Sequence, residues 1–264
     1  MQLQPTVFDI DCKAVSEKIE DFICEYVAQS KTKGVVVGLS GGIDSSVTTA
    51  LAVRALGKRN VLGLILPNAN LAQHYEDDAR TLARQLGITV KKVSIADFIS
   101  AFIKNVDIEL GKNRLVLGNA MARFRMIINY AYANYYHYLV LGTSNKTEIM
   151  VGYVTKYGDG GVDFEPCGGL YKTQIRLMAK YLNIPKPIIE KPPSAGFWDG
   201  QTDEGELGIT YDLLDLILYG IEHNYNPKDI AKELQIKEMV VERVLEMTAK
   251  SEHKRHIPPV FELE

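Results

Sequence analysis

Three observations predict an α/β fold with an open, mostly parallel five-stranded sheet and helices on both faces. Short apolar, β-branched runs alternate with helical stretches between residues 34 and 143. The runs are hydrophobic without a polar alternation, as strands covered on both faces are. A Gly/Ser turn joins the first run to a helix, and such strand-to-helix turns are where open α/β sheets bind ligands.

Residues 13–29 place Val15, Ile19, Phe22, Ile23, Tyr26 and Val27 on one face of an amphipathic helix. GVVVGL at 34–39 is the first strand, and a helix follows over 45–56. NVLGLIL at 60–66 is the second strand. The next helix, 71–86, turns Leu82 and Leu86 inward and Asp77, Asp78 and Arg80 outward. ITVKKVSI at 88–95 is the third strand, before a helix over 96–106. A long helical stretch rich in Ala, Met and Tyr covers 114–137, and YLVLGT at 138–143 is the fourth strand. After residue 152 GYVTKYGDGGVDFEPCGGLYK is Gly-rich, and Pro185, Pro187, Pro192 and Pro193 break any long helix. Segments 155–166 and 191–208 read as binding loops, candidate lids. The tail is helical again over 210–221, 227–234 and 237–250. The whole chain, 1–264, reads as a single domain with a phosphate loop at 38–46.

Composition narrows the function classes. Lys plus Arg is 30 and Asp plus Glu is 33, a net charge of -3, which lacks the basic excess of a dedicated nucleic-acid binder. Cys12, Cys24 and Cys167 form no CxxC pair, which argues against a zinc site or a disulfide framework and for thiols in a reducing compartment. The N-terminus has no basic region followed by an apolar run, and no stretch approaches a membrane span. The expectation is a cytoplasmic protein with neither nucleic acid nor membrane as partner.

The most informative segment is VVVGLSGGIDSSVTTALAV. The strand through Gly38 ends at Leu39, Ser40, Gly41 and Gly42 turn, and a helix starts near Asp44 or Ser45. Glycines let the backbone approach an anion, and the free amides and dipole of a helix start attract phosphate. Ser40, Ser45 and Ser46 add hydroxyl donors. Neither a Walker lysine nor GxGxxG is present. Asp44 inside an anion-binding turn is repulsive unless a divalent cation bridges it to phosphate. The loop therefore predicts a metal–pyrophosphate site.

SGGIDSS resembles the pyrophosphate-binding loop of the ATP pyrophosphatases, a group of Rossmann-like adenine nucleotide α-hydrolase type that cleaves ATP between the α and β phosphates. GNAMARFRM, GTSNKTE, GYVTKYGDGGVD, GLYKTQIRLMA, PSAGFWDGQTDEGELGITYDLLD and SEHKRHIPP narrow the resemblance to the NAD synthetase family, over roughly residues 13–260. The resemblance implies ATP-dependent amidation of deamido-NAD through an adenylate, giving NAD, AMP and pyrophosphate. It assigns Gly38 to Ser45, Thr143, Lys172 and Ser194 to ATP, Asp44 and Glu148 to Mg²⁺, and Arg123, Lys156, Asp163, His253 and Lys254 to deamido-NAD. Asp44 and Lys172 are the expected catalytic pair. The roles of Arg125 and Asp159 stay open. A homodimer is implied, with Tyr130, Tyr132, Tyr135, Tyr136 and Tyr138 at the contact.

Family motifs fill almost the whole chain and leave no room for an amidase domain, so the expected nitrogen donor is ammonia, free or delivered by a separate partner. A GMP synthetase core or tRNA thiolase shares the loop; a thiolase wants paired cysteines or a basic surface, and the sequence has neither. PKDIAKELQIKEMVVERVLE has helix-turn-helix rhythm, but Glu238, Glu242 and Glu246 make a poor face for a DNA groove. A nucleotide-binding stress protein that does not turn over ATP is the non-enzymatic alternative, and Asp44 with Glu148 argues against it.

Overall fold

Val35, Val36 and Val37 are all fully buried because helices cover both faces of the strand they form. The computed structural model describes residues 3–68, 73–109, 113–194, 196 and 200–263. The chain runs through α1 (Cys12–Gln29), β1 (Val35–Gly38), α2 (Ile43–Leu56), β2 (Val61–Ile65), α3 (Gln73–Leu86), β3 (Thr89–Lys92), α4 (Ala96–Asn105), α5 (Arg114–Tyr136) and β4 (Leu139–Leu141). It continues through α6 (Lys146–Val151), α7 (Lys172–Tyr181), α8 (Lys186–Glu190), α9 (Asp203–Leu207), α10 (Tyr211–Glu222), α11 (Pro227–Glu233) and α12 (Glu238–Lys250). Among the described residues no helix is long and apolar enough to cross a membrane.

The strands pair in parallel in the order β3-β2-β1-β4. Alternate side chains serve opposite cores, as the two-residue period of a strand requires. Val35 and Val37 pack with Ile23 of α1, Val47 and Leu51 of α2 and Ile175 of α7. Val36 and Leu64 pack with Ile99 of α4 and Ile128 of α5. A third core joins α10, α11 and α12 through Leu214, Leu218, Ile230 and Val241, and reaches Val151 of α6.

The sheet has four strands among the described residues rather than the expected five. What remains of a fifth is a single parallel bridge between Leu141 and Phe164. Two bonds support it: Asp163 N–H to the Val140 carbonyl at 3.0 Å and Gly142 N–H to the Phe164 carbonyl at 2.9 Å. The next ladder donor, Ser144 N–H, goes instead to the Glu165 carboxylate at 3.0 Å, which ends the pairing before Pro166. Other boundaries shift less. α2 begins at Ile43, two residues before the expected 45. The 88–95 run shrinks to Thr89–Lys92. The expected helix over 71–86 is seen from Gln73 onward, residues 71 and 72 lying outside the described residues.

This order positions the site. From β1 the chain moves outward to β2 and β3, then crosses back to place β4 on the other side of β1. The loops after β1 and β4 leave in different directions, and the crevice between them is where such sheets bind ligands.

Candidate active site

The turn Ser40–Gly42 lies at the carboxyl end of β1. Gly41 has φ +77°, and a Cβ there would lie 2.2 Å from the Tyr75 carbonyl oxygen, so only glycine fits. Gly42 caps α2 with no side-chain bond to the first-turn amides, which leaves those N–H groups open to an anion. The serines behave differently from expectation. Ser45 and Ser46 donate their hydroxyls back to the Gly42 carbonyl at 3.1 and 2.7 Å, and Ser40 pairs with Ser45 at 3.0 Å. They brace the turn rather than project from it.

Three elements converge on Asp44. Its Oδ2 accepts the Lys172 ammonium at 2.5 Å, and its Oδ1 accepts the Asn145 amide at 2.9 Å. Lys172, the first residue of α7, also reaches Glu148 Oε1 at 3.2 Å. Glu148 and Asn145 form the capping box of α6, which fixes the carboxylate close to its own helix start. Lys172 is 1% exposed, so its charge acts in a site largely free of water. Burial, with the Asp44 and Asp203 charges, outweighs the pull of Lys172 and raises the Glu148 carboxyl. Burial works against the Lys172 ammonium, but the Asp44 and Glu148 charges more than offset it and hold the proton on.

Asp203 and Tyr211 complete the cluster. The Tyr211 hydroxyl lies 3.1 Å from Asp203 and 3.4 Å from Glu148, and its ring centre is 4.8 Å from the Lys172 nitrogen. The Tyr153 hydroxyl sits between Asp203 at 3.1 Å and Glu206 at 2.6 Å. The sequence analysis missed Asp203 and Tyr211. Both lie in PSAGFWDGQTDEGELGITYDLLD, which carries the family resemblance, and no spacing within it singles them out.

A cavity of about 260 Å³ opens over this cluster and is lined by the phosphate turn, Thr143, Glu148, Ser194, Asp203 and Lys191. Thr143 and Ser194 thus line the same cavity as the phosphate turn. Arg125 lines the same cavity and donates to the Leu66 carbonyl at 3.1 Å; burial lowers its pKa to about 10. Arg123, Lys156 and His253 form a second group at the surface. Arg123 donates to the Lys156 carbonyl at 3.3 and 3.2 Å, and the Lys156 ammonium lies 3.5 Å from His253 Nδ1. Lys254 ties down the Gly152 and Val154 carbonyls at 2.7 and 2.8 Å. Asp163 is not brought to this group: its carboxylate accepts Val140 N–H at 2.7 Å and the Tyr130 hydroxyl at 3.1 Å. Segment 155–166 contains a tight turn in which the Asp159 carboxylate accepts Thr155 N–H at 2.9 Å. In segment 191–208, residues 195 and 197–199 lie outside the described residues.

The chain is similar to known proteins over nearly its whole length. The NH(3)-dependent NAD(+) synthetase of Methanocaldococcus jannaschii is 48% identical over 250 residues, 94% of this chain and 96% of that one. That of Pyrococcus horikoshii is 46% identical over 253 residues, 93% and 95% of the two chains. The solved NMN synthetase of Francisella tularensis superposes with a TM-score of 0.85 at 35% identity, covering 97% of this chain and all (100%) of that one. The NH3-dependent NAD synthetase of Campylobacter jejuni gives 0.81 at 33% identity, covering 96% and 100%. Residues 15–258 match the family described as NAD synthase, and with full-length relatives at this identity the chain belongs to the NAD synthase family.

Proposed function

We propose that this chain is a C–N ligase that amidates deamido-NAD with ammonia at the expense of ATP, releasing NAD, AMP and pyrophosphate. The observation that carries the reading is the buried Lys172 held between Asp44 and Glu148 beside an open helix start. A carboxylate does not react with ammonia, because oxide is too poor a leaving group. The nicotinate carboxylate oxygen therefore attacks the α phosphorus of ATP, the α–β bridging bond breaks, and pyrophosphate leaves. Ammonia then attacks the acyl carbon of the adenylate and AMP departs. The α2 amides and Lys172 neutralise charge on the expelled pyrophosphate, so the protein's contribution is positioning and electrostatics.

Mg²⁺ fits the site. It prefers one or two carboxylates together with phosphate oxygens and water to a cage of protein ligands. No group of three or more His, Cys, Asp or Glu side chains among the described residues forms such a cage, whereas Asp44 and Glu148 line the cavity together with the phosphate turn. Bound there, the ion would supply Lewis-acid neutralisation of the phosphates and favour the ionised form of Glu148. We assign Thr143 and Ser194, with the loop 38–45, to ATP, and Arg123, Lys156, His253 and Lys254 to deamido-NAD; Asp163, held by Val140 N–H and the Tyr130 hydroxyl, stands apart from them. Residues 1–264 act as one synthetase domain, cytoplasmic and homodimeric. The exposed Tyr135 and Tyr136 of α5 fit a contact surface.

The likeness to an NMN synthetase supports a second reading, amidation of the corresponding mononucleotide acid. The test is incubation with ATP, Mg²⁺ and ammonium plus either deamido-NAD or nicotinate mononucleotide, followed by mass detection of amide and AMP. NAD with equimolar AMP is expected. Turnover of the mononucleotide alone favours the second reading, and AMP from neither acid sinks both.

A further inference from the structure

We propose that Asp215 is a positioning residue for this site: from α10 it clamps the first turns of α6 and α7 together and so sets where Glu148 stands relative to Lys172. The inference rests on the amidation reading above. Asp215 is fully buried and does not line the cavity. Its Oδ1 accepts the Thr147 hydroxyl at 2.5 Å. Its Oδ2 accepts both the N–H and the hydroxyl of Thr173, each at 2.7 Å. The Thr147 hydroxyl in turn accepts Lys172 N–H at 3.0 Å. Thr147 precedes Glu148 on α6, and Thr173 follows Lys172 on α7. One carboxylate thus collects donors from two helix starts, where free amides and dipoles favour negative charge.

The rest of α10 grips the same two turns. Tyr211, one turn before Asp215, reaches Glu148 at 3.4 Å. Glu222 accepts the Tyr171 hydroxyl at 2.7 Å and pairs with Lys146. Folding alone does not call for a buried carboxylate here, since well-packed apolar side chains usually serve stability as well or better. Its use is directional. Four hydrogen bonds fix two helix starts in register, and small misplacements of charged groups at a reacting centre are costly.

The test compares wild type with Asp215→Asn and Thr147→Val, each below its own unfolding midpoint. Readouts are kcat, KM for deamido-NAD, and the magnesium concentration giving half-maximal rate. In Asp215→Asn we expect kcat to fall about tenfold to a hundredfold and the magnesium requirement to rise, with KM for deamido-NAD little changed. A lowered midpoint with kcat and magnesium response at wild-type values would make the role merely structural and overturn the proposal. Thr147→Val keeps the shape but removes the hydroxyl that links Asp215 to Lys172. Should Asp215→Asn fail to fold, unchanged kcat and magnesium response in Thr147→Val overturn it equally. A wild-type chain that forms neither NAD nor AMP refutes the amidation reading, and the positioning role with it.

Discussion

At the scale of single residues, charge balance decides. Asp44 and Glu148 share the ammonium of Lys172, so Lys172→Met leaves two carboxylates facing each other and, in the proposed mechanism, the leaving pyrophosphate without its cation. The expected loss in kcat/KM is about 10²- to 10³-fold, read from pyrophosphate release; activity near wild type would remove Lys172 from the mechanism. Glu165 gives a pH signature. Burial pushes its carboxyl from the ordinary 4.5 up to about 8. Between those values the folded chain keeps a proton that the unfolded chain has lost. The stability contribution is whole below 4.5 and is lost as pH rises towards about 8. Denaturant unfolding of wild type should therefore show stability falling across that window, and Glu165→Gln should flatten the slope. Asp44 was legible in the sequence because a carboxylate in an anion-binding turn demands explanation. Lys172 and Glu148 needed the family resemblance, and Asp203 needed coordinates, because nothing in the acidic run 203–206 separates a buried acid from solvated ones.

At the scale of elements, the phosphate turn depends on how closely α3 approaches it. Gly41 has φ +77° and no room for a Cβ beside the Tyr75 carbonyl, so Gly41→Ala meets backbone strain and a backbone clash together. The expected cost is about 1–3 kcal/mol of stability, with a raised KM for ATP. Thermal unfolding and ATP titration check both, and a variant with an unchanged KM for ATP would show that the turn does not hold phosphate. The strands were legible as apolar runs because they are covered on both faces. The expected fifth is reduced to a single bridge, because Ser144 N–H turns to the Glu165 carboxylate instead of continuing the ladder. The early start of α2 was hidden because Ile43 and Asp44 serve equally well in a turn and in a first helical turn. The clamp from α10 was invisible as well: Thr147, Thr173 and Asp215 lie far apart in the chain and carry no shared motif.

At the scale of the whole molecule, two sheet-based cores and a separate helical core meet around one crevice. The amidation step needs neutral ammonia. At fixed subsaturating total ammonium the rate should climb with pH below the ammonium pKa. A flat profile under those conditions counts against free ammonia as the nucleophile. The alternation of strand and helix announced the sheet and the place of its crevice. The packing of α10 to α12 against α6 had no counterpart in the sequence beyond three amphipathic stretches. One consequence concerns how copies of the molecule can associate. At one margin of the sheet β3 is four residues long, mostly exposed, and ends in Lys91 and Lys92, the latter paired with Glu76 at 2.8 Å. At the other margin the three residues of β4 meet the bridge to Phe164, and Pro166 follows. Short, lysine-bearing or interrupted margins give an incoming strand no continuous row of amides and carbonyls to copy. The sheet is self-limiting at both margins.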